Sequence, residues 1–310
     1  MAPGLRLEEH WLWDFWIADD GDRYHLFHLQ AARSLGDPDL RHWNASVGHA
    51  TSTDLRTWTP MGTALSTGDP GAWDDAAVWT GSVIRHDVYG WAMLYTGCST
   101  VEDRKVQRIG LATSPDLQTW TRHPDNPLIE ADAKWYERMD ADRWHDEAWR
   151  DPWILEDPDG DGFHALITAR VPDVTPSKAG VIGHAWSPDL AEWEVRPPLT
   201  GASGIGYLEV PQVVVTDRGH LLVYSYAPDG IPAHRQSLGI ESGSYAAPMD
   251  GPLGPAHLDE ATRIGPLGSY SNKVVRDREG RLQVLGFDNR PGPDFGTLTQ
   301  PTPLDLYLRV

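Results

Sequence analysis

The sequence predicts an all-β fold, a five-bladed β-propeller, from three observations. First, one pattern recurs, as GHATSTDLRTW at 48–58, GLATSPDLQTW at 110–120 and GHAWSPDLAEW at 183–193. Second, the repeated aspartates Asp54, Asp116 and Asp189 are 62 and 73 residues apart, and 310 residues hold five units of about 60. Third, the segments between the repeats have the length and the turn residues of successive hairpins. Five such units are the number in a small propeller.

Short strands account for most of the sequence. Apolar or alternating runs of strand length are RYHLFHL (23–29), GWAMLYTG (90–97), GFHALITAR (162–170), HLLVYSYA (220–227) and RLQVLGF (281–287). Turn sequences such as DDGD at 19–22 and DPDGDG at 157–162 separate the runs, and 30 Gly and 25 Pro fit many hairpins. DPDGDG is interpreted as a hairpin turn rather than a calcium loop, because its twelfth position is Thr168 and not Glu.

One stretch departs from the strand pattern. Residues 131–150, ADAKWYERMDADRWHDEAWR, are compatible with a helix, and we predict a helical insertion or lid there. Its acids Asp142, Asp146 and Glu147 are expected on a solvated face, with contact to an outer sugar as the alternative. No Pro-rich or Ser-rich linker interrupts the sequence, so residues 1–310 are predicted to form a single domain.

Composition and charge exclude several classes of protein. Lys and Arg total 26 against 45 Asp and Glu, and a net charge of −19 with no basic block argues against nucleic acid and anionic membranes as partners. Cys98 is the only cysteine, which excludes an intramolecular disulfide framework and a CxxC site. The N-terminal MAPGLRLEEHWLW lacks the apolar core of a secretory signal, and no run approaches 18 apolar residues, so we predict a cytoplasmic location. The oligomeric state stays open.

Propeller geometry indicates where a site lies. The innermost strand of each blade lines a central channel, so equivalent positions of these strands surround one mouth. If the repeated pattern lies near the end of a blade, the innermost strand begins about 40 residues upstream. Counting back 40 residues from Asp54 gives Asp14, and counting back 38 from Asp189 gives Asp151. One period after Asp151 lies Glu209, so three carboxylates are predicted to converge.

The second blade and the aromatic residues complete the predicted site. Counting back 39 residues from Asp116 reaches Ala77, within WDDAAVWTGS. The sequence contains 15 Trp, whose faces give sugars an apolar platform. The side chains in these segments that we expect to bind substrate are Trp13, Trp16, Asp75, Trp79 and Ser82.

Three acids around one channel suit glycoside chemistry. One ionised carboxylate attacks or stabilises the anomeric carbon of a sugar, and a second, with a raised pKa, protonates the leaving oxygen. No metal-ligand cluster accompanies the acids, so we predict neither a metal nor a cofactor. A single Asp in a strand is most simply a turn cap or an arginine partner, but three acids at matched positions favour a site.

The order of several motifs resembles glycoside hydrolase family 32, the invertase and levanase group. The motifs are YHLFHL, VGHATSTDLRTW, VWTGSVI, MLYTG, VQRIGLATSPDLQTW, NPLI, WRDPW and LEVP, and they cover roughly residues 10 to 215. WDFW is similar to the corresponding motif of the related levansucrase and inulosucrase family 68. The resemblance implies a retaining mechanism with Asp14 as nucleophile, Asp151 as transition-state stabiliser and Glu209 as acid/base. The motif residues that it implies for the sugar pocket are Arg150, Trp79 and Ser82.

The sequence departs from the family pattern at several places. WDFWIADDG stands where the family has N-D-P-N-G, and Val210 follows Glu209 where Cys is usual. His28 and Leu29 precede Gln30, so the Gln that normally follows the YHLF strand is displaced and different contacts to the sugar ring are expected. The sequence ends at residue 310, and we expect no C-terminal β-sandwich.

We therefore predict a retaining glycoside hydrolase that hydrolyses, or transfers from, terminal β-fructofuranosyl residues of small oligosaccharides or fructosides. Two alternatives stay open. A family 43-like arabinofuranosidase or xylosidase has acids in the same order but inverts configuration, with Asp14 as general base. Its carboxylates lie about 6.5 to 9.5 Å apart, against about 5 to 5.5 Å for retention. The other alternative is a carbohydrate-binding propeller without catalysis.

Overall fold

The computed structural model describes residues 4–227 and 242–308. The described strands form five antiparallel sheets that follow one another along the chain. This arrangement is a five-bladed β-propeller, which confirms the predicted fold class. Among the described residues, no helix has both the length and the apolar character needed to cross a membrane.

The first two blades occupy residues 10–122. Blade 1 contains β1 (His10–Asp19), β2 (Tyr24–Ala32), β3 (Ser46–Ser52) and β4 (Thr59–Leu65). Blade 2 contains β5 (Ala77–His86), β6 (Gly90–Cys98), β7 (Gln107–Ser114) and β8 (Thr121–Arg122).

The remaining three blades follow in the same order. Blade 3 contains β9 (Trp149–Glu156), β10 (Phe163–Arg170), β11 (Gly180–Ser187) and β12 (Glu194–Arg196). Blade 4 contains β13 (Glu209–Thr216), β14 (Gly219–Tyr226), β15 (Gly243–Met249) and β16 (Thr262–Ile264). Blade 5 contains β17 (Ser269–Arg276), β18 (Leu282–Asp288) and β19 (Thr302–Pro303). Short 3-10 helices in the described chain are Arg33–Leu35, Pro38–Asn44, Pro176–Lys178, Leu258–Glu260 and Leu304–Leu306.

The first strand of each blade lies at the centre of the molecule. β1, β5, β9, β13 and β17 are edge strands of their sheets, and each contacts the first strand of the next blade. β17 also contacts β1, so the five strands form a closed ring. Sequences such as HWLWDFWIAD in β1 form these strands because bulky aromatic and branched side chains pack well on both faces of a buried strand.

The repeated S-x-D-L-x-x-W pattern forms the turn between the third and fourth strands of blades 1, 2 and 3. In blade 1, the Asp54 carboxylate accepts the backbone N–H groups of Arg56 and Thr57, both at 2.8 Å. Leu55 has a φ of 63°, an unfavourable backbone conformation that its complete burial offsets. The equivalent leucines at positive φ are Leu117 and Leu190. The pattern therefore marks the end of a blade, as the counting argument assumed.

The helical insertion predicted for 131–150 is wrong, because residues 131–148 form turns and irregular backbone and β9 begins at Trp149. Asp142 is exposed, as expected, but Glu137 and Glu147 turn inward. The Glu137 carboxylate pairs with Arg170 of β10 at 3.1 Å and with Arg143 at 2.9 Å. Glu147, expected to be solvated, is 2 % exposed and pairs with Arg138 at 3.0 Å. These buried ion pairs fix the segment against blade 3 in place of helical hydrogen bonds.

Matching histidines join neighbouring strands inside two blades. In blade 1, His25 Nδ1 lies 3.0 Å from His49 Nε2, and His25 Nε2 lies 3.0 Å from the Asp20 carboxylate. The same arrangement in blade 3 is formed by Asp157, His164 and His184. His49 and His184 thus have the blade-packing role that their repeat positions indicate.

The N-terminal residues close the ring against blade 5. The Gly4 N–H donates to the Leu298 carbonyl at 2.8 Å, and the Leu298 N–H donates to the Leu5 carbonyl at 2.9 Å. The Leu12 N–H of β1 donates to the Gly296 carbonyl at 3.0 Å. Leu5, Leu12 and Leu298 are buried in one apolar cluster, so the beginning and the end of the described chain share a core.

Candidate active site

A cavity of about 280 Å³ is lined by residues from all five innermost strands. The predicted site residues that line it are Trp13, Asp14, Trp79, Arg150, Asp151 and Glu209. The ring of strands therefore brings together the three acids that the sequence places in different blades.

β-Bulges set the direction of the acids. The pairing of β1 with β2 shifts at Asp14, and that of β9 with β10 shifts at Asp151, whose φ is 58°. The pairing of β13 with β14 shifts directly after Glu209, where Val210 has a φ of 52°. Bulges redirect side chains at the rim of a sheet. Non-glycine residues at such φ values cost free energy and cluster at functional sites.

Asp14 lies in an environment that opposes its ionisation. Burial, together with the charges of Asp151 and Glu209, raises the pKa of Asp14 to about 7. The nearby Ser271 hydroxyl and the charge of Arg41 act in the opposite direction. Asp14 therefore loses its proton near neutral pH, whereas an ordinary aspartate is ionised well below it.

Glu209 is placed by two donors. Arg150 donates to Glu209 Oε1 at 2.8 Å, and the Tyr270 hydroxyl donates to Glu209 Oε2. Burial raises the pKa of Glu209, the Asp151 charge adds to the rise, and Arg150 opposes it. A carboxyl group with a raised pKa keeps its proton to a higher pH, which is what a proton donor needs.

Asp151 is the most enclosed of the three acids, with 5 % of its surface exposed. Its Oδ2 accepts the Thr168 hydroxyl at 2.9 Å and the Val210 N–H at 3.2 Å. Its own N–H donates to the Thr96 hydroxyl at 3.0 Å. These bonds fix both the carboxylate and the backbone of Asp151, and its remaining oxygen can accept a hydroxyl from the cavity.

Arg150 connects the acids of the site. Besides Glu209, its guanidinium lies 3.3 Å from the Asp146 carboxylate and 3.1 Å from Gln107 Oε1. The Arg150 Nε lies 3.6 Å from Asp151. Asp146 belongs to segment 131–150 and lines the cavity. Its position therefore fits the alternative expectation, contact with a sugar, better than the solvated face of a helix.

Three of the predicted substrate-binding residues do not line the cavity. Trp16 is 1 % exposed and packs in the core, and the Asp75 carboxylate accepts two hydrogen bonds from Thr100 in a turn. The Ser82 hydroxyl accepts the Ile154 N–H at 2.9 Å and so joins β5 to β9. The bulges in β1 and β5 shift the alternation of side chains, so positions that a regular strand would point to the channel point elsewhere.

Other lining residues escaped the sequence analysis. The helix Pro38–Asn44 overhangs the cavity and contributes Arg41, His42 and Trp43. The Arg41 guanidinium packs on the rings of Trp13 and Phe295 at 5.6 and 5.0 Å, and its Nε has no hydrogen-bond partner among the described residues. Inner-strand and blade 5 residues that were also missed are Thr80, Tyr270 and Asn289.

The signal for these residues is weak because most of them lie outside any repeat. The displaced Gln30 donates to the Thr63 hydroxyl at 3.0 Å and is absent from the lining. Its place in the lining is taken by Leu29. A search for polar groups between β2 and β3 would have found Arg41.

The chain belongs to glycosyl hydrolase family 32: residues 16–255 match the N-terminal domain of that family. It is 29 % identical over 210 residues to the cell wall isozyme of β-fructofuranosidase from Pisum sativum, covering 63 % of this chain and 34 % of that protein. It is 30 % identical over 195 residues to a fructan 6-exohydrolase from Beta vulgaris, covering 61 % of this chain and 29 % of that protein. The chain thus spans about a third of the length of these relatives.

Solved structures with the same fold include an inulosucrase and a β-fructofuranosidase. An inulosucrase from Halalkalicoccus jeotgali bound to kestose superposes with a TM-score of 0.74 at 25 % identity, covering 93 % of this chain and 79 % of that one. This similarity is consistent with the family 68-like first motif. A β-fructofuranosidase from Bombyx mori superposes with a TM-score of 0.71 at 19 % identity, covering 96 % of this chain and 61 % of that one.

Proposed function

We propose that the protein is a retaining glycosidase that releases or transfers terminal β-fructofuranosyl residues of small oligosaccharides or fructosides. The observation that carries the proposal is the convergence of Asp14, Asp151 and Glu209 on one cavity of a family 32 propeller. In this proposal, a sugar bound in the cavity is attacked by one of these acids and protonated by another. The relatives named for fructosyl chemistry support the choice of sugar.

In the proposed mechanism, the ionised Asp14 carboxylate attacks the anomeric carbon and forms a fructosyl ester. Glu209 donates its proton to the departing oxygen, and then, as a carboxylate, takes a proton from the water or sugar hydroxyl that cleaves the ester. Asp151 and Arg150 hold ring hydroxyls while positive charge develops on the sugar. No step requires a metal or a cofactor.

Proton NMR of the first product tests both the sugar and the stereochemistry. A panel of β-fructofuranosides and arabinofuranosides is incubated with the native protein and with Asp14→Asn. We expect initial release of the retained anomer of fructose, abolished by Asp14→Asn. Inverted arabinose would move the protein to the family 43-like alternative, with Asp14 as general base. No release from any fructoside would favour the carbohydrate-binding alternative.

Transfer to a sugar acceptor is a second candidate activity within the same proposal. The inulosucrase covers more of its own length in the superposition than the other structural relative does, 79 % against 61 %. Trp43 at the rim lies 5.7 Å from Trp79, and this tilted pair offers an apolar surface for an acceptor. Chromatography of products at high sucrose concentration separates the two activities: longer oligosaccharides indicate transfer, and free fructose equal to free glucose indicates hydrolysis.

We also propose a cytoplasmic location and a carbohydrate partner, and we leave the oligomeric state open. The cytoplasmic location proposed from the N-terminal residues is tested by fractionation of the source cells. The carbohydrate partner is tested by the substrate panel, and the oligomeric state by light scattering.

A further inference from the structure

Lys273 is a buried cation next to the candidate site but outside its lining. It lies on β17 and is 3 % exposed. Burying an ammonium group costs several kcal/mol unless it is compensated. In the described part of the chain no carboxylate oxygen lies within 4 Å of it, and its Nζ donates instead to the carbonyls of Val210 at 2.8 Å and Pro211 at 3.3 Å. The Trp153 ring lies 5.6 Å away.

The two carbonyls belong to the bulge that follows Glu209. Val210 has a φ of 52°, which is strained for a β-branched residue. The Val210 N–H donates to Asp151 Oδ2 at 3.2 Å, while its carbonyl accepts from Lys273. One strained residue therefore connects three groups: it follows Glu209 directly, it binds Asp151, and it is held from behind by Lys273.

The Lys273 ammonium group is close enough to the acids of the site to interact with their charges. Burial lowers the pKa of Lys273 to about 7, and the charges of Asp151 and Asp14 act to keep it protonated. Lys273 is not among the residues that line the cavity. Any effect on the reaction is transmitted through the Val210 backbone or through the electric field.

We propose that Lys273 is a positioning residue that holds the bulge after Glu209, and thereby aims the Glu209 carboxyl group at the leaving oxygen. Without Lys273, the backbone relaxes from its strained conformation, and Glu209 turns away from its donors. The inference rests on the proposed function, in which Glu209 is the acid. Lys273 does not act as a catalytic group.

Two substrates with different leaving groups test the proposal. Sucrose needs a proton on its departing oxygen, whereas fluoride leaves β-fructofuranosyl fluoride without one. Because kcat/KM reports only the steps up to formation of the fructosyl ester, it isolates this requirement. We expect Lys273→Met to lower kcat/KM for sucrose at least 10-fold and for the fluoride less than 3-fold. Lys273→Gln, which keeps an amide NH2 as donor, is expected to retain more of the activity on sucrose than Lys273→Met.

A matched control separates positioning from loss of stability. Val214→Ala shortens a buried side chain on β13, the strand that carries Glu209, at a position that does not line the cavity. Val214→Ala is expected to change kcat/KM for both substrates by the same factor. Equal losses on the two substrates in Lys273→Met would overturn the proposal. If neither Lys273→Met nor Lys273→Gln folds, Lys273→Arg, which keeps N–H donors beside the two carbonyls, is measured instead: native kcat/KM values, or a loss confined to sucrose, support the proposal, and an equal loss on the two substrates overturns it.

The native protein distinguishes failure of this inference from failure of the proposed function. Turnover of neither substrate by the native protein would overturn the proposed function and the inference with it. Turnover of both, with no difference in selectivity between the native protein and Lys273→Met, would overturn the inference alone.

Discussion

In the proposed mechanism, Asp14 has conflicting requirements, because attack on a sugar needs its charge and its surroundings oppose that charge. A carboxyl group whose pKa is raised on folding destabilises the folded state once it ionises. The destabilisation is fully present above pH 7, the folded pKa, and disappears below about pH 4, the unfolded value. Asp14 thus trades stability for reactivity.

Asp14→Asn is expected to abolish activity while stabilising the fold. The loss of the nucleophile should lower kcat at least about 10⁴-fold. The neutral amide should raise the free energy of unfolding at pH 8 by about 1 kcal/mol and the Tm by about 2 °C. Denaturation at pH 8 and pH 5 measures this gain, which should shrink at the lower pH. The exposed control Asp87→Asn should leave stability and activity unchanged. An Asp14→Asn protein less stable than the native one at pH 8 would contradict the assignment of a raised pKa.

Glu209→Gln changes the pH dependence as well as the rate. Turnover of sucrose should fall about 10²-fold to 10⁴-fold, because the proton donor is lost. For β-fructofuranosyl fluoride, kcat/KM, which reports only formation of the fructosyl ester, should persist with an acid limb that reports the ionisation of Asp14, while cleavage of the ester, which uses Glu209 as base, should become slow. Since the Glu209 charge raises the pKa of Asp14, the acid limb should move down by about one pH unit from its native position near 7. An unmoved limb would show that the limb reports another group.

The site was predictable where it follows the repeats and unpredictable where it does not. Asp14, Asp151 and Glu209 were found because equivalent positions of successive blades meet at one mouth. Trp16 was misplaced because a bulge shifts the alternation of β1, and no sequence pattern marks the bulge. Arg41 was missed because it belongs to a short helix between strands, whose position depends on packing against Trp13.

Elements with regular periodicity were equally well predicted, and segment 131–150 shows why the exception failed. Its charged residues have helical spacing, but Glu137 meets Arg170, which is 1 % exposed on β10. Leaving the buried Arg170 guanidinium without a partner costs more free energy than a solvated helix gains from its charged residues. Tertiary contacts therefore override the local preference for helix.

Glu137→Gln tests this account of the segment. Removal of one partner leaves the buried Arg170 charge uncompensated, and the free energy of unfolding should fall by about 3 kcal/mol. Chemical denaturation measures the change. Glu156→Gln, at the exposed end of β9 in the same blade, should change stability by less than about 0.5 kcal/mol. A similar small effect for Glu137→Gln would mean that the ion pair does not anchor the segment.

At the scale of the whole molecule, buried histidines make the folded state less stable as the pH falls. Burial lowers the pKa of His28, His49 and His184 to about 4 and that of His42 to about 3. Each is neutral in the folded state and becomes charged in the unfolded state below about pH 6.5. Their contribution to stability is therefore complete above pH 6.5 and is lost as the pH falls towards 4. Protonation of Asp14 and Glu209, whose pKa values are raised, acts in the opposite direction, but the four histidines outnumber these two acids.

The Tm is accordingly expected to fall steadily between pH 6.5 and pH 4.5. Calorimetry across this range measures the slope. The double variant His49→Gln and His184→Gln should have a lower Tm at pH 7 and a shallower slope, because two of the titrating groups are gone. A Tm that is constant or rises on acidification would contradict the neutral state of the buried histidines.

The closure of the ring by Gly4, Leu5 and Leu298 also sets when the cavity can form during synthesis of the chain. β1, which carries Asp14, is synthesised before blade 5, its neighbour in the ring. Until blade 5 is available, the Trp-rich strand β1 has one unprotected side, and the cavity lacks the wall that Tyr270 provides. The cavity is therefore completed in a single step that needs all five blades, and chains without blade 5 offer cellular chaperones an apolar surface.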